Sequence, residues 1–395
     1  MLPNMHYAEL KESYLFSAIG EKVRAYAAAH PGQKLFRLGV GDVSLPLCPV
    51  VIRAMHDAVA EQGNKRTFHG YLPETGTPFL KEAIRAHYET RGILLETDEI
   101  FISSGASNDI GDLSDLFDPS NTALVADPAY PEYADSSMMA GRKVVYLPTR
   151  RENGFLPLPD PSVDADLIYL CSPNNPTGAV FDRRTFQSWV DYANAKDAVI
   201  LFDAAYEIFI DDPAYPRSVY ELDGAENCAI EICSLSKTAG FTGTRLGYTV
   251  VPKALKRNGM SLNAMWVRNR STTTNGVSYI LQKGGEAAFT PEGRRELRKN
   301  ISYYKSNARV IMSALDELNV WYCGGVHSPY IWMECPGGMD SWTFFDRLLN
   351  EAQVIGTPGA GFGACGEGYF RLSAFGDADE TKEAAERMKV FWRKS

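Results

Sequence analysis

Lys237 follows a run of β-forming residues, Cys228 to Ser234, and precedes a glycine-rich turn that ends at Arg245. The run reads as a buried strand, so the lysine stands just past the strand's carboxyl end. Burial lowers the pKa of an ammonium, and a neutral amine is the species that attacks a carbonyl to form a Schiff base. Ser234 and Ser236 flank the lysine, and Arg245 can give two parallel hydrogen bonds; together they suit a phosphate. A Schiff-base lysine beside a phosphate cup points to pyridoxal 5′-phosphate, whose ring does the electronic work while the protein aims it. Two other readings apply to the same stretch. Ser234-Leu235-Ser236-Lys237 fits the Ser-x-x-Lys signature of penicillin-binding proteins, but the Ser-Asp-Asn and Lys-Thr-Gly partners of that signature do not occur. The plainer alternative is a surface lysine after an edge strand.

The lysine strand is one of a series. From Glu99 onward, strand-like runs recur at Ile100–Ser103, Thr122–Ala126, Lys143–Leu147, Leu167–Cys171, Val199–Phe202, Ala229–Ser234 and Leu246–Val251, with helix-length segments between most of them. That rhythm predicts an α/β fold with a mostly parallel seven-stranded sheet covered on both faces. Ligands of such sheets bind at the carboxyl ends of the strands. Ser104-Gly105-Ala106-Ser107 follows the first strand and opens a helix, whose free amides attract an anion. Tyr130 follows the second strand, Asn175 sits in the Ser172–Gly178 turn after the fourth, and Asp203 and Tyr206 follow the fifth. Each has an ordinary role to fill: a cap for Asp203, a turn for Asn175, packing for the tyrosines. An acid, a phenol, an amide, a ring and a lysine at one sheet edge are better explained as one site.

Leu15, Ile19, Val23 and Tyr26 mark one face of a helix over residues 14–29, and a short strand then runs into Gly41-Asp42. That glycine suits close backbone approach to a ligand or an ordinary turn equally. Phe68–Gly76 reads as a surface loop, Arg270–Gly276 as a polar bend, and Pro291–Leu318 as a long helix. Gly359-Ala360-Gly361-Phe362-Gly363 lacks Gly-x-Gly-x-x-Gly spacing and reads as a flexible loop. The expected division is a large domain over 45–275 and a smaller α/β domain from 1–44 with 276–395.

A net charge of −9, with no long basic run, argues against a nucleic-acid surface. Seven cysteines without Cys-x-x-Cys point to reduced thiols in a cytoplasmic protein. Six scattered histidines give no metal site, and the absence of any run of 18 apolar residues gives no membrane partner.

In order along the chain, Ser172–Gly178 (SPNNPTG), Asp203–Tyr206, Ser234–Lys237 with Arg245, and Phe370-Arg371-Leu372 resemble the class I aminotransferases of PLP fold type I. Tyr14-Leu15-Phe16, Arg37–Asp42, DPAYP at 127–131, FDAAYEIFI at 202–210, SKTAGFTGTRLG at 236–247 and Thr357–Gly376 are similar to the branch that acts on LL-diaminopimelate. The resemblance covers nearly the whole chain. It implies that Lys237 holds the cofactor and shuttles a proton, and that Asp203 pairs with the pyridinium nitrogen. Tyr206 and Asn175 would bond the ring's 3′-oxygen, Tyr130 would stack on the ring, and Ser234, Ser236, Arg245 and the Ala106 and Ser107 amides would hold the phosphate. Arg371 would grip the substrate α-carboxylate as a fork, with Tyr14 and Gly41 beside the substrate. It further implies a homodimer with shared active sites: Tyr71 and Asn275 would reach the partner's site, and Glu74 the distal end of the substrate there. Three stretches depart from the family pattern: Ser107 replaces its usual lysine, Leu72-Pro73 alters the Gly-Tyr-Gly-x-Glu-x-Gly loop, and Val43-Ser44 replaces a Thr-Thr pair. The alternatives that stay open are an aminotransferase for another amino acid, a PLP lyase, or a binding protein that keeps the fold without turnover.

Overall fold

A computed structural model gives the fold and describes residues 1–10, 15–39 and 41–393. Seven strands form the large sheet: β1 (Ile100–Ser103), β2 (Thr122–Asp127), β3 (Lys143–Pro148), β4 (Leu167–Cys171), β5 (Val199–Asp203), β6 (Ala229–Ser234) and β7 (Gly247–Val250). Their spatial order is β1-β7-β6-β5-β4-β2-β3. Only the pairings made by β7 are antiparallel; the rest are parallel.

Side-chain alternation explains why the central strands are apolar throughout. Ile168 and Leu170 of β4, with Ile200 and Phe202 of β5, face one core. Leu167, Tyr169, Val199 and Leu201 from the same strands face another on the opposite side. Both faces are covered, so a polar residue inside β4 or β5 has nowhere wet to go. At the edge, β3 begins with the exposed Lys143 and is only half-buried, as suits an edge strand.

A second, antiparallel sheet comprises β8 (Tyr322–Gly324), β9 (Tyr330–Glu334), β10 (Thr357–Pro358) and β11 (Tyr369–Ser373), in the order β8-β9-β11-β10. Its core includes Leu15, Ile19, Val23 and Tyr26 of the helix Leu15–Ala29, the four residues whose spacing marked that helix in the sequence. Phe36–Arg37 pairs in parallel with Val354–Ile355, and Ser373 N–H donates to the Leu38 carbonyl at 2.6 Å, which ties the amino-terminal segment to this sheet.

Two local expectations are overturned. The helix Leu262–Thr273 includes Arg270 to Thr273, so the bend begins later than the polar composition indicated. Arg270 is buried there: its guanidinium lies 4.1 Å from the Trp266 ring and 2.7 Å from Asp112. The stretch 359–363 is a pinned turn rather than a flexible loop. Ala129 N–H donates to the Phe362 carbonyl and Cys365 N–H to Asp127, and a Cβ added at Gly363 would sit 2.0 Å from that carboxylate. Its glycines permit close packing against the end of β2.

All seven cysteines are free thiols. Among the described residues no helix is long and apolar enough to cross a membrane, and no group of His, Cys, Asp and Glu could hold a metal ion.

Candidate active site

The carboxyl ends of β1, β2, β4, β5 and β6 open into a cavity of about 1150 Å³, counting the space at its mouth, and β9 and β11 of the second sheet close it from the other side. Ala106, Ser107, Tyr130, Asn175, Asp203, Tyr206, Ser234, Ser236, Lys237 and Arg245 line it, as do Gly41 and Arg371. Chain order scatters these residues over more than three hundred positions; the sheet topology brings them together.

Lys237 lies on the five-residue helix Leu235–Ala239, capped by Ser234, whose Oγ accepts from the Ser236 N–H at 3.1 Å. Desolvation pulls the Lys237 amine down to about 8; Asp42 opposes the shift, and Arg245 and Arg371 add to it. The amine is therefore far easier to deprotonate than an exposed lysine.

Arg245 sits in the left-handed region at φ 63° and donates to Ser236 Oγ at 3.1 Å and to the Thr242 carbonyl at 3.2 Å. This strained residue aims its guanidinium at Gly105, where an added Cβ would come within 2.6 Å of Nη2. Gly105 has φ 114°, so any other residue would meet both strain and a clash. The turn is held from behind by a residue not singled out in the sequence. Ser103 Oγ accepts from Gly105 N–H at 3.2 Å and donates to the fully buried Asp109 at 2.5 Å; burial raises the Asp109 carboxyl to about 8. Ser107 Oγ is 2.7 Å and 2.9 Å from the two oxygens of Glu132, so its hydroxyl is engaged there and its backbone amide is left for an anion.

Asp203 is buried at the end of β5. It accepts from Tyr133 OH at 2.6 Å and from Ala205 N–H at 2.9 Å. Burial raises its pKa and these two hydrogen bonds lower it, so the carboxylate is fixed in orientation but short of a countercharge. Tyr133 was missed in the sequence; the available signal was its place three residues after Tyr130, whose ring it meets edge-on at 5.7 Å. Tyr206 OH lies 2.9 Å from Tyr330 OH at the start of β9.

Arg371 on β11 is 1 % exposed, yet its guanidinium reaches the cavity. It donates to Asn175 Oδ1 at 2.6 Å and to the Gly39 carbonyl at 2.7 Å, and lies 4.4 Å from the Tyr330 ring and 4.9 Å from that of Phe362. Such a caged guanidinium is pre-aimed, with little rotamer freedom left to lose on binding a carboxylate.

Three expected site residues are not brought to this cavity within one chain. Tyr71 is 90 % exposed, and Glu74 and Asn275 are exposed as well. They lie on neighbouring loops, since a Cβ at Gly276 would touch the carbonyls of Leu72 and Pro73. Tyr14 lies outside the described residues.

The donor set fits pyridoxal 5′-phosphate. An easily deprotonated amine matches its aldehyde, a buried carboxylate lacking a countercharge matches its ring nitrogen, and serine, arginine and helix-end amides match its phosphate. Comparison with known proteins bears directly on this arrangement. LL-diaminopimelate aminotransferase from Agathobacter rectalis is 49% identical over 400 residues, spanning 98% of this chain and 99% of the relative. The enzyme of the same name from Lawsonia intracellularis is 48% identical over 402 residues, spanning 98% of both chains. The solved L,L-diaminopimelate aminotransferase from Chlamydomonas reinhardtii superposes with a TM-score of 0.93 at 38% identity, over 99% of this chain and 98% of that one. The model of aminotransferase classes I and II matches residues 33–388, and the chain belongs to that family.

Proposed function

We propose that this chain is a pyridoxal 5′-phosphate-dependent aminotransferase that moves an amino group between LL-2,6-diaminopimelate and 2-oxoglutarate. The products are tetrahydrodipicolinate and glutamate, or the reverse, a step serving lysine and cell-wall synthesis. The observation that carries the reading is Lys237, an amine with a pKa near 8, in one cavity with Asp203 and Arg371. The relatives of about half-identical sequence supply the substrate.

When bound, the cofactor supplies an electron sink for the charge left at the substrate's α-carbon. The protein does the rest. Lys237 Nζ would hold the cofactor and, as a free amine, would take the proton from the substrate's Cα and carry it as an ammonium. Asp203, held by Tyr133, keeps a negative charge against the ring nitrogen. Tyr206 and Asn175 orient the ring's oxygen, Tyr130 covers its face, and Ser234, Ser236, Arg245 and the Ala106 and Ser107 amides anchor the phosphate. Arg371 fixes the α-carboxylate, so that the Cα–H bond faces the lysine.

The reading includes a homodimer in which Tyr71, Glu74 and Asn275 complete the partner's cavity; their exposure in one chain supports it. It also includes a cytoplasmic location and a division into residues 45–275 and 1–44 with 276–395. Transfer from a different amino donor is the second reading. Ser107 favours it, because no cation extends from that position and its hydroxyl faces Glu132. A panel of amino donors with 2-oxoglutarate, followed by glutamate formation, decides: diaminopimelate should give the highest kcat/KM, and a better donor would replace it as the substrate.

A further inference from the structure

The short helix that carries Lys237 has a second cavity on its opposite face. Leu235, Thr238 and Ala239 line this one, whereas Ser236 and Lys237 line the first. Its volume is about 720 Å³ with the mouth included, and its walls include Ala204 and Glu207, which flank Asp203 and Tyr206 in sequence. The floor is apolar, from Leu235, Ala239, Ala288, Phe289 and Leu297. Around it stand Arg217, Arg294 and Arg298, against a single carboxylate, Glu207, with the His87 ring beside them.

The charges do not balance locally. Glu207 is already paired with Arg91 and Arg217. Among the described residues, the guanidiniums of Arg294 and Arg298 have no carboxylate partner. His87 adds no charge to this balance. Arg91 can only donate, so the His87 Nε2 it contacts must accept. Burial first, then the neighbouring arginines, bring the His87 imidazole down to about 4, so at neutral pH the ring holds one proton. With Nε2 accepting, that proton is on Nδ1. Nδ1 is buried without a hydrogen-bond partner and has no surface open to the cavity, so the imidazole stands in the wall as a neutral ring. Excess positive charge from the arginines over an apolar floor calls for a ligand with an anionic group on an apolar body.

We infer that this cavity is a second ligand site, distinct from the one that holds Lys237, and that it takes a small monocarboxylate with an apolar, ring-sized body. The inference is independent of the amino-transfer reading. A ligand seated there would touch the backs of the segments that carry Lys237, Asp203 and Tyr206.

The test uses the cofactor-loaded full chain and three probes in calorimetry: phenylacetate, its neutral analogue 2-phenylacetamide, and acetate, which lacks the apolar body. Phenylacetate should bind at least about tenfold more tightly than either other probe, the equivalent of one decade in Kd. Arg294→Glu, at a half-buried position in the cavity wall, should weaken phenylacetate by about tenfold or more. Ala288→Trp should fill the cavity and abolish binding; if that variant does not fold by circular dichroism, Arg294→Glu alone decides. Equal binding of phenylacetamide, no binding of phenylacetate, or an affinity unchanged by Arg294→Glu would each overturn the assignment. The last outcome would place the carboxylate elsewhere, most simply on Arg371.

Discussion

Arg371 and Tyr71 belong to one active site in the family resemblance, yet they have opposite surroundings here. Arg371 is 1 % exposed, bonded to Asn175 and Gly39 and caged by rings; Tyr71 is 90 % exposed. The same contrast separates the cavity wall from the loops that hold Glu74 and Asn275. Residues on strand ends and on β11 receive their geometry from the chain's own sheets, so a single chain prearranges them. The loop residues have no such support, and under the dimer proposal a second copy completes them. Chemistry and specificity then rest on different physical grounds: buried, charge-tuned groups for the first, exposed and partner-dependent groups for the second.

The strongest way to break that comparison is at the wall. Lys237→Ala should lower kcat for amino transfer by about 10²–10⁴-fold, the contribution of proton transfer by a positioned group. Arg371→Lys removes the fork but keeps a charge. A cost of about 2–5 kcal/mol is expected for a buried charged partner, read as a rise in KM for every amino acid tested. Tyr133→Phe deletes the 2.6 Å bond to Asp203 and should cost about 1.5–3 kcal/mol in kcat/KM. That bond lowers the Asp203 pKa, so without it the acid limb of the pH–rate profile should move to higher pH. An unmoved limb would mean that Asp203 does not titrate in that limb.

The loops give smaller, more selective effects. Glu74→Gln should reduce turnover of diaminopimelate more than the half-reaction with glutamate, because only diaminopimelate carries a distal ammonium. Equal losses would assign Glu74 to loop or subunit structure instead. Mixing Lys237→Ala with Tyr71→Ala should restore part of the activity, since one site of the mixed dimer inherits neither defect. Failure to recover any activity after verified subunit exchange counts against a shared site.

Much of the wall was legible in the sequence because each strand-end residue follows a short strand-length run, mostly apolar, that gives way to turn residues. The seven runs correspond to the seven strands of the large sheet, and the lysine helix follows Ser234 as its cap requires. The supporting residues were not legible. Tyr133, Tyr330 and Glu132 act through contacts between elements well separated in sequence, such as the 70-residue separation between Tyr133 and Asp203, and Asp109 acts across the turn that joins β1 to the next helix. No local spacing reports such a contact. Arg270 shows a different reason: polar composition at 270–276 suggested a bend, but stacking on Trp266 and pairing with Asp112 satisfy the arginine within a helix. The 359–363 loop misled for a similar cause, since its glycines serve close packing rather than mobility.

The central claim, that Lys237 is the group around which the site is built, has a direct test. Cofactor-free protein is mixed with pyridoxal 5′-phosphate over a range of pH, trapped with borohydride and mapped by peptide mass spectrometry. The label should fall on Lys237. Its rate of incorporation should rise as pH passes through about 8, where the folded-state amine loses its proton, and level off above that. Label on another lysine, or a rate that keeps climbing toward the ordinary lysine range near 10.5, would contradict the account.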